Sequence, residues 1–308
     1  MTLIYKHDAA LFHVTPPGHP ERVARVEAVW AALQEIEGLT WREAPKAKRS
    51  EVLRCHPEDY LERVEAAIPD EGYVSLDADT HVSPGSLEAA LRALGGCTAA
   101  VDAVLAGEAS NAFVAMRPPG HHAETGTAMG FCLFGNAAIA ARRALDVHGL
   151  NRVAVLDFDV HHGNGTQDLL WNEERTLFCS SHQMPLYPGT GAAHETGAHD
   201  NVVNAPLAPM TGGVEMRQAW GDIILPAVDD FAPELIIISA GFDAHVRDPL
   251  ANLNWTKEDF RWVTEAICDV AEAHSGGRVV STLEGGYDLE ALAESAVAHV
   301  KVLMERDT

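Results

Sequence analysis

The sequence lacks the features that would indicate a membrane protein or a disulfide-bonded secreted one. No run in its 308 residues approaches the roughly 18 apolar residues that a membrane span requires. The segment Met1–Asp8 lacks the long apolar region of a signal peptide and favours an opening strand. The five cysteines are an odd number without a Cys-x-x-Cys pair, which argues against a disulfide framework and a structural zinc site. We therefore expect a cytoplasmic protein with no membrane partner.

Positive charge is also scarce. The chain has 22 lysine and arginine residues against 45 aspartate and glutamate residues, which gives a formal net charge of −23. This balance disfavours nucleic acid as a direct partner, because binding would bring phosphates against an acidic surface. An acidic cleft would attract cationic ligands instead. An acidic surface that only keeps the protein soluble explains the same composition, so charge alone assigns no function.

Segments typical of buried strands alternate with amphipathic helical segments along the chain. Predicted strands cover residues 2–5, 111–116, 152–157, 176–181, 235–239 and 278–283. Predicted helices cover residues 21–37, 135–147, 214–229, 257–273 and 288–303, a long helix capped by Ser83-Pro84 that ends near Leu105, and a shorter helix that begins near Pro57. This alternation predicts an α/β fold with a parallel sheet that is covered on both faces. Without a linker or repeat, residues 1–308 are predicted to form one domain.

The chain is organised around the segment Asp157-Phe-Asp-Val-His-His-Gly-Asn-Gly-Thr-Gln167, which follows a predicted buried strand. In an extended chain alternate residues share a face, so Asp157, Asp159 and His161 would point together. Two carboxylates and an imidazole cost several kcal/mol to bury unpaired. A divalent cation removes that cost, and an open site with oxygen and nitrogen ligands is typical of catalytic metals.

Polar residues also follow four other predicted strands, at residues 117–122, 180–182, 241–245 and 284–287. Ligand sites of open parallel sheets lie beyond the carboxyl ends of the strands. His121 and His122 suit proton transfer. Asp243 could complete a metal shell, and the Tyr287 phenol could donate to a developing oxyanion. A helix cap would explain Asp243 alone and a rim aromatic would explain Tyr287 alone, but five such strand ends together predict a catalytic site.

These segments, in this order, resemble the motifs of the arginase/histone deacetylase superfamily, specifically the bacterial histone-deacetylase-like amidohydrolases with their acetylpolyamine and acetoin-utilisation branches. The segments that carry the resemblance are Arg117-Pro-Pro-Gly-His-His-Ala, Gly130-Phe-Cys, residues 157–167, Tyr187-Pro-Gly-Thr-Gly, Ser239-Ala-Gly-Phe-Asp-Ala-His and Glu284-Gly-Gly-Tyr. The resemblance implies the arginase/deacetylase fold, a mostly parallel sheet of about eight strands with helices on both faces. It also implies a metal-dependent deacetylase that acts on linear amides.

The resemblance further implies roles for individual residues. The metal ligands would be Asp159, His161 and Asp243, and the ion would be Zn²⁺, or Fe²⁺ in the cell. His122 would be the general base that later protonates the leaving amine, His121 would position the water, and Tyr287 would help to polarise the amide carbonyl. Asp157 would orient His121 and Asn164 would orient His122. One branch has aspartate at this last position, and a neutral amide should raise the basicity of His122 less than a carboxylate.

A narrow tunnel for an acyl-lysine chain is implied as well. Phe131 and Tyr187 look like its paired aromatic walls, next to Gly130. Leu250 looks like the apolar residue at the tunnel mouth, and Asp79 looks like the rim aspartate that binds the substrate backbone. Without the resemblance, ordinary core packing would explain both aromatic residues. Polyamine-specific relatives in one branch carry glutamate where Leu250 stands, which favours acyl-lysine, whereas the acidic composition favours a polyamine.

The resemblance implies a structural K⁺ site, partly through backbone carbonyls, at Asp157, Asp159, His161, Ser180 and Ser181. A homo-oligomer is compatible with the sequence, because an isologous dimer leaves no readable signature. The substrate would be an acetylated amine or acetyl-lysine.

Two other functions compete with the deacetylase. A manganese ureohydrolase of the same fold needs further aspartates close behind the first cluster, where Gly163 and Gly165 offer none. A non-catalytic metal-dependent binding protein would have lost His122, Tyr287 or a metal ligand, and all of them are present. We therefore predict one catalytic metal ion per chain.

Overall fold

The computed structural model describes residues 1–307 as a single α/β domain, so Thr308, the last residue of the predicted domain, lies outside the described residues. The strands are β1 Thr2–Lys6, β2 Thr40–Glu43, β3 Val74–Ser75, β4 His81–Val82, β5 Asn111–Val114, β6 Val153–Asp157, β7 Thr176–Gln183, β8 Val202–Leu207, β9 Leu235–Ala240 and β10 Val279–Leu283. The helices are α1 Val23–Gln34, α2 Arg49–Val52, α3 Glu58–Ala66, α4 Ser86–Leu105, α5 Asn136–Asp146, α6 Asn164–Leu170, α7 Gly213–Ala219, α8 Leu225–Phe231, α9 Lys257–His274 and α10 Leu289–Glu305.

Within residues 1–307, eight strands form one sheet in the order β2-β1-β5-β10-β9-β6-β7-β8. Every neighbouring pair in this sheet is parallel. The remaining strands, β3 and β4, pair as a small antiparallel hairpin. The prediction of a mostly parallel sheet of about eight strands is therefore confirmed.

Helices cover both faces of the sheet, and two neighbouring residues of β10 demonstrate this arrangement. The Ser281 hydroxyl lies 2.8 Å from Nε2 of His299 on α10, whereas Thr282 Oγ1 lies 3.4 Å from Cys97 Sγ on α4. Successive side chains of a strand point to opposite faces, so α4 and α10 pack on opposite sides. Strands that are buried on both faces read as continuous apolar runs, as in β9.

The strands that precede the polar motifs end at the same edge of the sheet. Asp157, the last residue of β6, pairs with Ser180 of β7 on one side and with Ser239 of β9 on the other. Ser239 in turn pairs with Thr282 of β10. This register gathers the chemical groups of several distant segments at one carboxyl edge, where open α/β sheets bind their ligands.

Three predicted helices differ from the observed ones. The helix predicted over residues 21–37 is shorter (α1), because the Glu21 carboxylate is buried against Arg117 and Arg22 is still extended. The helix predicted over residues 214–229 is divided into α7 and α8 by a π-helical turn. Ser83 does not cap α4, since its hydroxyl accepts the Val14 N–H at 3.0 Å and Gly85 immediately precedes the helix.

Other differences concern segments without a clear apolar period. Strands β2 and β8 and the β3–β4 hairpin were not predicted, nor was helix α6, which begins at Asn164 within the polar segment 157–167. Strand β7 continues to Gln183, so Ser180–His182 lies inside the strand instead of following it. All five cysteines are free. Among the described residues, no helix is both long enough and apolar enough to span a membrane.

Candidate active site

Side chains from two separate motifs converge into a cluster of potential metal ligands. Asp159 and His161 follow β6, and Asp243 follows β9. Each residue is buried and offers one ligand atom, and these atoms lie within 4.8 Å of one another. His161 Nδ1 lies 3.1 Å from Asp159 Oδ1 and 3.1 Å from Asp243 Oδ2. Within residues 1–307 this is the one cluster of its kind.

The chemistry of this cluster fits a divalent transition metal. Three protein ligands with room for a further ligand is the arrangement of catalytic zinc sites. Burial alone would lower the pKa of His161, but Asp159 and Asp243 outweigh burial and raise that pKa to about 10. Positive charge is therefore strongly favoured between the two carboxylates, and a divalent cation would supply it.

Glycines leave room for the two ligand carboxylates. A Cβ atom at Gly241 would overlap the carboxylate of Asp159, and one at Gly285 would overlap the carboxylate of Asp243. Backbone donors fix both groups, since Gly285 N–H donates to Asp159 Oδ2 at 2.8 Å and Val160 N–H donates to Asp243 Oδ1 at 2.9 Å. The ligand oxygens are thus held in place by the protein itself.

Asp157 faces His121 instead of the ligand cluster. Its Oδ2 accepts a hydrogen bond from His121 Nδ1 at 2.9 Å, and its Oδ1 accepts the Asp159 N–H at 3.0 Å. The expectation that three side chains share one face therefore holds for Asp159 and His161, but not for Asp157, at which β6 ends. The contact with His121 has the geometry of a carboxylate that orients an imidazole.

His122 has a different partner from its neighbour. Its Nδ1 lies 2.6 Å from Oδ1 of Asn164, the first residue of α6. Asn164 Nδ2 donates to Glu124 Oε1 at 2.7 Å and to Met129 Sδ at 3.4 Å. The rings of His121 and His122 lie 4.0 Å apart, so the two imidazoles form a buried pair with separate supports.

The two imidazoles have opposite electrostatic environments. Burial disfavours the charged form of both, but at His121 the Asp159 and Asp157 carboxylates outweigh burial and raise the pKa well above its ordinary value. At His122 burial is reinforced by His121 and His161, so the pKa lies well below its ordinary value. Neighbouring groups whose pKa values are pushed apart are typical of sites with separate acid and base roles.

Tyr287 is held from three sides. The Arg25 guanidinium lies 4.8 Å from the centre of its ring, and Phe131 packs edge-on at 5.9 Å. Its backbone N–H donates to Asp248 Oδ2 at 2.7 Å. Arg25 also donates to the carbonyls of Gly286 and Glu284, both at 2.5 Å. Among the described residues the Tyr287 hydroxyl has no hydrogen-bond partner, and burial raises its pKa well above the ordinary value.

Glu284 links two of the motifs. Its Oε2 accepts the backbone N–H groups of Gly120 at 2.7 Å and His121 at 3.1 Å. Burial raises the pKa of this carboxyl group to about 7, against an opposing effect of His121. The Glu284 carboxyl group therefore connects two segments: the turn with the two histidines and the loop with Tyr287.

A cavity of about 250 Å³ reaches this site. It is lined by His122, His161 and Tyr287, and by the five predicted substrate-binding residues Asp79, Gly130, Phe131, Tyr187 and Leu250. Pro20 and Leu186, which sequence reasoning did not single out, complete the lining. Tyr187 is 39% exposed and its ring lies 5.2 Å from that of His122, so one tunnel aromatic borders both solvent and the imidazole.

The backbone of the tunnel wall is strained at Phe131. Gly130 and Phe131 have φ values of +55° and +69°, and a Cβ at Gly130 would overlap the His122 ring. Positive φ at a bulky residue costs free energy and occurs where surrounding contacts enforce it. Here the Phe131 N–H donates to Thr80 Oγ1 at 3.0 Å, and the His19 ring packs edge-on against Phe131 at 4.7 Å. His19 also contacts the Asp79 carbonyl oxygen, at 2.9 Å from Nε2, which ties the rim to the wall.

The serines predicted for a K⁺ site point in different directions. The Ser180 hydroxyl lies 2.9 Å from His182 Nδ1, whereas the Ser181 hydroxyl accepts the Trp220 indole N–H at 3.0 Å. Both serines are buried in β7, where Ser180 pairs with Asp157 of β6 and Ser181 pairs with Ala205 of β8. The monovalent-cation site, partly through backbone carbonyls, stays a prediction.

Several residues of the site were not predicted from the sequence. Arg25 lies inside the regular period of α1, and Thr80 lies in a polar loop. Glu124 directly follows the motif that was recognised through His121 and His122. A polar residue on the apolar period of a helix, such as buried Arg25, is the kind of signal that could have found it.

Fold and site together define an α/β protein with a candidate metal centre at the carboxyl edge of a parallel sheet. A family profile described as "Histone deacetylase domain" matches residues 19–303. The chain belongs to the histone deacetylase family, whose members are in general metal-dependent.

Individual relatives agree with this assignment. The chain is 44% identical over 288 residues to "Histone deacetylase-like amidohydrolase" of Pseudomonas aeruginosa, covering 89% of this chain and 74% of that protein. It is 40% identical over 298 residues to "Probable deacetylase" of Archaeoglobus fulgidus, covering 94% of this chain and 82% of that one. The crystal structure described as "HDA15 HD domain" superposes with a TM-score of 0.93 and 34% identity over 99% of this chain and 88% of that chain.

Proposed function

We propose that the protein hydrolyses the amide bond of an N-acetyl or short N-acyl lysine, or of a similar N-acyl amine. The single observation that carries this proposal is the cavity that His122, His161 and Tyr287 line together with Phe131 and Tyr187. A neutral imidazole, a phenol and a ligand of the candidate metal cluster border one narrow space whose walls are aromatic. Such a space suits a flexible methylene chain that ends in an amide.

Asp159, His161 and Asp243 would hold one Zn²⁺ ion, or Fe²⁺ in the cell. When bound, the ion supplies Lewis acidity towards a water molecule and towards the amide carbonyl oxygen. The predicted K⁺ ion would be structural. A manganese ureohydrolase is less favoured, because a single ligand cluster in residues 1–307 supports one catalytic ion. A non-catalytic binding protein is less favoured, because the family is one of hydrolases.

His122 would take a proton from water as the water oxygen bonds to the carbonyl carbon, since its low pKa keeps a lone pair available. The same proton would then pass to the leaving nitrogen as the C–N bond breaks, which yields a carboxylic acid and a free amine. His121, whose raised pKa favours the charged form, would stabilise negative charge beside it. Tyr287 would donate its hydroxyl hydrogen bond to the oxyanion.

The amine part of the substrate is the less defined part of the proposal. Leu250 lines the cavity and has no charge that would attract the ammonium groups of a polyamine. It therefore favours acyl-lysine as the substrate. Asp79 is half-buried at the rim, and burial and the neighbouring Asp77 raise its pKa. An acetylated polyamine is the alternative, because its free ammonium groups would complement these carboxylates.

Hydrolysis of a matched panel by the zinc-loaded enzyme tests the proposal. The panel contains an acetyl-lysine peptide, a longer acyl-lysine peptide, acetylspermidine and a small acetylated amine. We expect turnover of the acetyl-lysine peptide, with loss of several orders of magnitude in His122→Ala while the metal content is unchanged. A preference for acetylspermidine would identify the alternative substrate, and no turnover of any member with metal bound would refute the hydrolase proposal.

A further inference from the structure

Asn164 presents the two ends of its amide to two different partners. Its Oδ1 lies 2.6 Å from His122 Nδ1, and its Nδ2 donates to Glu124 Oε1 at 2.7 Å. Nδ2 also lies 3.4 Å from Met129 Sδ. His122 and Asn164 are buried, whereas Glu124 is partly exposed. A chain of hydrogen bonds therefore runs from the candidate general base to a carboxylate near the surface.

The two ends of an amide have nearly the same shape, so packing alone does not decide which end faces His122. A carboxylate only accepts hydrogen bonds, so Glu124 takes the NH₂ end of Asn164. The carbonyl end then faces His122, where it accepts only from a protonated Nδ1. In the neutral ring this leaves the lone pair on Nε2, which has no hydrogen-bond partner among the described residues.

We propose that Glu124 is a positioning residue that fixes the orientation of the Asn164 amide and, through it, the tautomer of His122 in which Nε2 accepts the proton. The inference rests on the proposed role of His122 as the general base. Glu124 does not line the cavity, so it acts through Asn164 and not on the substrate.

A purely structural role of the Glu124 side chain would have different consequences. The turn around Glu124 is closed by backbone hydrogen bonds with Thr127, at 3.0 Å and 3.4 Å. Replacement of the side chain should therefore leave this turn intact. What it removes is the acceptor that distinguishes the two orientations of the Asn164 amide.

Kinetics of four variants test the proposal. We expect Glu124→Ala to lower kcat by about 10- to 100-fold, as is usual for partners of catalytic groups, with KM unchanged. Glu124→Gln keeps the shape but no longer selects one amide orientation, so kcat should fall less, by about tenfold. Asn164→Asp should lower kcat, because it places two carboxylates against each other. The double variant Asn164→Asp/Glu124→Gln should recover activity, since the new amide donates to the new carboxylate.

The tautomer itself gives a readout that does not depend on turnover. ¹⁵N-histidine spectra of the zinc-loaded protein distinguish a protonated Nδ1 from a protonated Nε2, and His122→Gln identifies the signal. We expect the Nδ1–H form of His122 in the wild type and a mixture of tautomers in Glu124→Ala. Thermal unfolding of each variant verifies that it is folded.

The outcomes separate this inference from the proposed function. Wild-type kcat in both Glu124 variants, or an unchanged tautomer in Glu124→Ala, would overturn the role of Glu124 while leaving the deacylase intact. Absence of rescue in the double variant would also overturn it. Wild-type turnover in His122→Ala would overturn the general-base role on which this inference rests, while the hydrolase activity would stand. No turnover of any panel substrate by the zinc-loaded wild type would refute the proposed function, whereas the spectra would still report on the amide orientation.

Discussion

Removal of one oxygen atom in Tyr287→Phe isolates the contribution of the phenol to catalysis. The ring would keep its contacts with Arg25 at 4.8 Å and Phe131 at 5.9 Å, and the backbone N–H would keep its bond to Asp248. The hydroxyl has no hydrogen-bond partner among the described residues, so its removal leaves no protein group unpaired. We therefore expect the free energy of unfolding to change by less than about 1 kcal/mol.

The effect on turnover should be much larger than the effect on stability. Loss of one donor to a developing oxyanion typically costs about 10²–10³ in kcat, or about 2.7–4 kcal/mol. KM should change little, because the donor acts mainly on the oxyanion that forms during the reaction. Stability and turnover thus respond separately to the same substitution.

Steady-state hydrolysis of an acetyl-lysine peptide and urea unfolding measure the two effects. Tyr187→Phe is the matched control, since it removes a hydroxyl from another tyrosine of the same cavity and should keep kcat near the wild-type value. Wild-type kcat in Tyr287→Phe would refute the oxyanion role. A large loss of stability would show that the hydroxyl has a structural partner.

Three further predictions concern the candidate metal ligand Asp243, the cavity residue Leu250 and the buried carboxylate of Glu21. Asp243→Ala should lose the catalytic ion in metal analysis, and full metal content would contradict the ligand assignment. Leu250→Glu should shift the ratio of kcat/KM towards acetylspermidine over the acetyl-lysine peptide, because it places a carboxylate at the mouth; an unchanged ratio would exclude Leu250 as a specificity residue. Burial raises the pKa of the Glu21 carboxyl, but Arg117 outweighs burial, so the folded-state pKa lies well below the ordinary value of 4.5. The stability that ionised Glu21 contributes is therefore complete above about pH 4.5 and is lost as the pH falls through the folded-state pKa. Glu21→Gln should remove this pH dependence and lower the free energy of unfolding by about 3–5 kcal/mol at neutral pH, because it leaves Arg117 buried without its charged partner. Urea unfolding of both proteins at several pH values measures this difference, and equal free energies of unfolding at neutral pH would contradict the argument.

The sequence predicted those parts of the molecule in which an apolar run that forms a strand is followed directly by polar residues of the site. The apolar runs of β6 and β9 identified buried parallel strands, and the polar residues directly after them marked the carboxyl edge of the sheet. Asp159, His161 and Asp243 could be grouped because strand ends of one parallel sheet lie together. The edge strands β2 and β8 were missed, since they lack a continuous apolar run.

The supporting contacts could not be predicted, because they join residues far apart in the chain. Arg25 stacks on Tyr287 only after α1 packs beside the loop that follows β10. Glu124 reaches Asn164 across a turn whose geometry no local pattern specifies. A hydrogen bond of this kind depends on distances of a few tenths of an ångström, whereas a sequence pattern constrains only which face of an element is buried.

Zinc titration of the metal-free protein tests the central claim most directly. Acetate release from an acetyl-lysine peptide is measured as zinc is added, and bound zinc is measured in parallel. The predicted result is no hydrolysis by the metal-free chain and full activity at one bound zinc ion per chain. Undiminished hydrolysis without metal, or no hydrolysis with one zinc ion bound, would contradict the account.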